Sequence, residues 1–185
     1  MGLATMKRHL SLLALAAIAG LPLAAHAADP AHAAHAAHAA DAQRQAEVAR
    51  RGPDVMPFRL EATTHYFTKT DDGGTQRVVA KDLSDAVQTR LVREHLRQIQ
   101  AQFRNGDFSG PSHIHGSDMP GLAQLKAAPA GQISIAYRDV AGGAELTYRT
   151  GNRDLAAALH AWFDAQLSDH GADAMEGHHH HHPQK

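Results

Sequence analysis

The sequence predicts an α+β fold: two ββα units that pair into one antiparallel four-stranded sheet with two helices on one face. Three observations carry the prediction. Runs of alternating residues rich in Thr, Tyr, Phe and Ile mark strands, glycine-rich turns join them in pairs, and an apolar helical stripe follows each pair. The order strand, strand, helix occurs twice, over residues 58–104 and 132–169.

In the first unit, Phe58 to Lys69 (FRLEATTHYFTK) and Thr75 to Lys81 flank Asp71-Asp72-Gly73-Gly74, a hairpin signal. Alternation sets Phe58, Leu60, Ala62, Thr64 and Tyr66 on one face, which puts His65 on the less apolar one with Arg59, Glu61, Thr63 and Phe67. Asp82 or Ser84 is positioned to cap a helix that runs to about Arg104, where Asn105-Gly106 stops it. On a helical wheel Leu91, Val92, Leu96, Ile99 and Phe103 form one stripe, with His95 in its middle and Arg90, Arg93, Arg97 and Gln100 opposite. A histidine there is either a satisfied core residue or a ligand.

In the second unit, Gln132 to Arg138 and Ala144 to Thr150 alternate around Val140-Ala141-Gly142-Gly143 and read as a second hairpin. Asp154 to about Asp169 is a helix with Leu155, Leu159, Trp162, Phe163 and Leu167 as its stripe. His160 borders that stripe, and His170 sits at the helix C-terminus, where the dipole favours a protonated ring.

Between the units lies GDFSGPSHIHGSDMPGL, Gly106 to Leu122, where His113, His115, Asp118 and Met119 crowd among Gly and Pro. Such punctuation predicts a structured loop without regular elements. Imidazole, carboxylate and thioether are ligands that copper and zinc accept, so a metal site competes with a plain surface loop.

At the N-terminus, Lys7 and Arg8 precede the apolar run Leu10 to Leu23, and Ala25-His26-Ala27 offers a cleavage site: residues 1–27 read as a signal peptide for export to the periplasm. A run of that length is short of the roughly 20 residues a membrane span needs, so no stable membrane insertion is expected after cleavage. Residues 28–54 repeat His32, His35 and His38 in alanine, a spacing that sets the imidazoles along one side of a helix; this competes with an alanine-rich linker, and the favoured reading is a flexible, transiently helical segment that captures metal weakly. Residues 55–175 are the expected domain, and residues 176–185 a tail carrying His178, His179, His180, His181 and His182.

Composition narrows the function classes. With 18 Lys and Arg against 19 Asp and Glu, the formal charge of -1 gives no footprint for nucleic acid. The 16 histidines and absent cysteine remove disulfides, zinc-thiolate sites and cysteine nucleophiles, and leave imidazole as the main ligand.

The segments MPFRLEATTHYF, GGTQRVVAKD, HIHGSDMPGL and LHAWFDAQLSDHGADAM together resemble a family of small exported bacterial proteins that often end in histidine-rich tails. The resemblance spans about residues 55–176, within which His65, His95, His115, Met119, His160 and His170 lie in family-like segments and His113 looks like an addition. Such sequences tend to carry the label aspartate carbamoyltransferase. That activity is not expected here, because the chain has neither the length for two α/β domains nor a Ser-Thr-Arg-Thr carbamoyl-phosphate loop.

The leading expectation is a periplasmic protein that buffers or delivers a divalent transition metal, copper, zinc or nickel. Its core ligands would come from His65, His95, His113, His115, Met119, His160 and His170, with the terminal histidines as outlying binders. The alternatives are an interaction domain whose tails alone bind metal, and a metal-dependent enzyme in which His95 or His115 works with Asp118. No HExxH, nucleophile elbow or phosphate loop supports the enzyme.

Overall fold

The structure, a computed structural model, describes residues 30–177, with side chains from residue 38 onward. The expected signal peptide and His178–His182 lie outside the described residues.

The fold is α+β, and both predicted hairpins form. β1 (Thr63–Thr70) pairs antiparallel with β2 (Gly73–Ala80), and β3 (Ser134–Val140) with β4 (Gly143–Arg149). The hairpins join through an antiparallel β2–β4 pair. The sheet differs from the expected four antiparallel strands. A short β5 (Ala174–Glu176) adds parallel to β1, giving a mixed five-stranded sheet in the order β3-β4-β2-β1-β5. Three residues after a helix end are too few to announce a strand in the sequence.

Five α-helices are described rather than two. α2 (Ala86–Arg104) and α5 (Arg153–His170) are the predicted pair. α2 is capped by Asp85, whose carboxylate accepts from the Val87 and Gln88 amides, and not by Asp82 or Ser84. The stretch expected as a loop contains α3 (Ser109–His115) and leads into α4 (Leu122–Ala127). Pro111 does not prevent α3 because it sits in the first turn, where its missing N–H has no partner to lose. Gly121, at φ 77°, enters α4 with no room for a side chain: a Cβ there would lie 2.0 Å from the Ala158 carbonyl oxygen of α5.

The segment expected to be flexible is α1 (Pro30–Arg51). Alanine is the best helix former, and the later part of α1 has a face to dock. Val48 is buried in the core, and Gln45 Nε2 donates to the Ser168 carbonyl of α5. The folded unit therefore begins before residue 55.

α2 and α5 cover one face of the sheet. Phe67, Val78, Leu146 and Tyr148 meet Val92, Leu96 and Phe103 of α2 and Leu159, Trp162 and Phe163 of α5 in one buried cluster. Trp162 is fully buried at its centre, with the rings of Phe103, Tyr148 and Phe163 at 5.7, 6.1 and 5.8 Å. Pairs at such distances add about 0.5–1.5 kcal/mol each beyond the area they bury. The alternation of β1 is the expected one, but its core-facing side is the one expected to be less apolar. Residues 60–62 form a 3₁₀ turn, so the alternation begins only at Thr63, and His65 and Phe67 face the core while Tyr66 stacks under Arg77 on the open face.

Candidate functional site

Four of the seven core residues proposed from sequence meet. His65 comes from β1, His95 from α2, His115 from the last residue of α3 and His170 from the last residue of α5. All four are buried, with relative exposures of 3%, 5%, 2% and 6%. They line one cavity of about 40 Å³ together with Gln76, Gln166 and apolar side chains. A space of that size admits an ion or a water rather than an organic molecule.

The rings are close. His65 and His170 stack with centroids 4.8 Å apart and planes 8° from parallel, and His115 stands edge-on to His170 at 5.0 Å. Phe58 touches both His65 and His95, at 5.8 and 5.5 Å. The Nδ1 atoms of His65 and His170 are buried and have no hydrogen-bond partner. Stacked rings do not aim their nitrogens at one point, and accordingly no three His, Asp or Glu among the described residues form a ready-made metal-holding group.

Burial sets the charge state. Loss of water pushes the pKa of His65 down to about 4, aided by neighbouring His95, and that of His95 down to about 4. His170 falls well below the ordinary histidine value through burial and then through His65 and His115. The dipole argument for a protonated His170 is therefore overturned: a ring shut off from water loses more by desolvation than about 1–2 kcal/mol of dipole attraction returns.

His115 has a different setting. Its Nδ1–H donates to Asp169 Oδ2 at 2.8 Å, which leaves Nε2 as the nitrogen available to a ligand. Asp169 also accepts from Arg44 of α1, Nε to Oδ1 at 2.9 Å and Nη2 to Oδ2 at 2.8 Å. Arg44 Nη2 donates as well to the His115 carbonyl oxygen. Burial works to raise the Asp169 pKa, but the bonds from His115 and Arg44 prevail and hold it down to about 2. A carboxylate that fixes the tautomer of an imidazole is the usual support behind a metal-binding histidine.

The other predicted ligands are elsewhere. His113 is exposed and pairs with Asp54 at 2.9 Å, because positions i and i+2 of a helix point to opposite sides and His115 takes the inner one. His160 Nε2 lies 2.9 Å from the carbonyl oxygens of both Thr70 and Gly73, so it ties α5 to the β1–β2 turn. Met119 is buried in the apolar cluster and does not line the histidine cavity, and Asp118 is exposed. His38 is exposed on α1, and the backbone of His32 and His35 is part of the same helix.

Sequence reasoning missed Arg44, Asp169, Gln76, Gln166 and Met56, all of which touch or support the cavity. One signal was legible: Asp169-His170 as an adjacent pair at a helix end. A roomier cleft of about 190 Å³ lies beside the end of α2, lined by Phe103, Phe108, Leu125 and Ile133, and contains no histidine. No described helix is long and apolar enough to cross a membrane. Neither a protein-family model, nor a curated protein, nor a solved structure matches this chain.

Proposed function

We propose that this is an exported protein that binds a transition-metal ion, copper, zinc or nickel, within its core. One observation supports the reading above others: four imidazoles from four separate elements are buried around a cavity of ion size, two of them with an unpartnered Nδ1. Buried polar groups without partners cost about 1–3 kcal/mol each, a cost that ligation would offset. Neutral imidazole is the form that binds metal, and burial maintains it at neutral pH.

Ligation needs one stacked ring to turn so that its free nitrogen meets the Nε2 of His115. The Asp169 carboxylate holds His115 still while this happens. The histidines of α1 and of the C-terminal tail gather ions from solution, and the core retains them. The leader argues for export to the periplasm, where such a protein buffers or delivers its ion.

Trp162 is the single tryptophan and lines the cavity, so it reports on the core alone. Titrating the metal-free full chain with zinc, Cu(II), Cu(I) or nickel should change Trp162 emission at micromolar metal. In the His115→Ala variant the affinity read at Trp162 should fall at least about 10-fold, since a lost ligand exceeds a change in its support. An emission unchanged by all four ions, with binding still detected in total, would leave metal to the terminal histidines only.

A further inference from the structure

We infer that the ion held in this core is monovalent copper, taken by buried imidazoles together with the thioether of Met56. The inference rests on the core-site reading above and adds the ion and a fifth donor. Met56 is 6% exposed and lines the same cavity as the four histidines. Its placement follows from the turn before it: the Met56 amide donates to the Gly52 carbonyl oxygen at 2.8 Å, and a Cβ at Gly52 would lie 2.9 Å from the Met56 methyl. Gly52 is therefore the residue that leaves room for this side chain.

Two arguments select the ion. The first is donor chemistry: thioether is a soft ligand that favours Cu(I), whereas zinc and nickel gain little from it. The second is charge. Among the described residues no Asp, Glu, Lys or Arg lines the cavity. Two carboxylates act on the cluster, and both are paired: Asp169 is bonded to His115 and doubly to Arg44, and Asp173, which acts on His65, pairs with Lys81. Any ion would sit among neutral, buried side chains. The self-energy of a buried ion grows with the square of its charge, so a divalent ion meets about four times the penalty of a monovalent one. Imidazole binds copper in either state, and a shell of neutral donors favours the monovalent ion over the divalent ones.

The geometry agrees with a low coordination number. His65 and His170 lie parallel and His115 lies across them, an arrangement that brings two or three donors to one ion more readily than four. Cu(I) and its stable surrogate Ag(I) accept two or three donors.

The test uses the full chain carrying ¹³C-methyl methionine. The chain has 5 methionines, so the Met56 methyl is assigned by its loss in Met56→Leu. Ag(I), and Cu(I) kept reduced without oxygen, should shift the Met56 methyl and change Trp162 emission together. Met56→Leu should weaken Ag(I) at the core about 10-fold or more while its unfolding midpoint stays near that of the parent, because the exchange conserves volume. Zinc affinity read at Trp162 should be the same in both proteins. If zinc changes Trp162 emission but Ag(I) and Cu(I) move neither reporter, the core site stands and the monovalent assignment fails. If Ag(I) changes Trp162 emission equally in parent and Met56→Leu, the thioether is no ligand and the inference is overturned. If none of these ions moves either reporter, both the inference and the core-site reading are lost.

Discussion

Acid should unfold the metal-free protein by a mechanism confined to the histidine cluster. In the folded chain burial holds the pKa of His65 and of His95 down to about 4 and pushes that of His170 well down as well, against about 6.5 for an unfolded histidine. A folded-state pKa below the unfolded value means that stability is complete above about pH 6.5 and is lost as pH falls toward 4. Between those values the unfolded chain takes up protons that the folded chain refuses. At pH 5 His65 and His95 each contribute about 2 kcal/mol of lost stability, about 4 kcal/mol together, and His170 adds to the loss in the same direction. That equals a large share of the roughly 5–15 kcal/mol that holds a domain of this size. Asp169 acts in another window: held down to about 2, it contributes stability that is lost only as pH drops from about 3.8 toward 2. Urea unfolding followed by Trp162 emission and far-ultraviolet circular dichroism at pH 7.5, 6 and 5 measures this. A loss below about 2 kcal/mol between pH 7.5 and 5 corresponds to less than one ring, and would refute the account of three buried neutral imidazoles.

Two further perturbations test how the site is supported. Arg44→Ala removes both bonds from α1 to Asp169; stability should fall by about 1–2 kcal/mol, reduced from the usual charged-bond figure because Arg44 is partly exposed. Limited proteolysis should then cut within 44–48, where the parent docks through Arg44, Gln45 and Val48. Gly121→Ala places a methyl against the Ala158 carbonyl oxygen at a positive φ, so the α4–α5 contact must open. A loss of about 2 kcal/mol or more in urea is expected, and an unchanged midpoint would mean that the contact is loose.

The elements were legible and the site only in part. Period-two runs and apolar stripes located four strands and the two large helices, since these patterns report which face of an element is buried. His95 could be placed in the core because the helical stripe around it is regular. His65 was assigned to the wrong face, because parity counted from Phe58 crosses a 3₁₀ turn that breaks the alternation. α3 was hidden by its own composition: Gly110 and Pro111 oppose a helix in general but not within its first turn. For α1, low complexity left a helix and a flexible linker in competition, although Val48 and Arg44 mark the face that docks. Convergence itself is a tertiary property. Spacing in the chain cannot say that residues 65, 95, 115 and 170 share a cavity, or that Met56 rather than Met119 joins them.

The cluster is hard to explain as packing alone. Leucine or phenylalanine would fill the same space without a buried nitrogen, yet His65 and His170 both hold an unpartnered Nδ1 inside the core. Sites that sacrifice stability in this way tend to be functional ones. His170→Leu separates the two explanations by sign. If the ring is kept for a ligand, its removal relieves the unpartnered nitrogen, and the metal-free protein should gain about 1 kcal/mol at pH 7.5. The gain should be larger at pH 5, where one of the three acid-sensitive rings has been deleted. The extra stability conferred by bound metal should shrink at the same time. A ring kept for packing gives the reverse: its loss would destabilise the metal-free chain by about 2 kcal/mol or more and leave the metal-linked gain as it was.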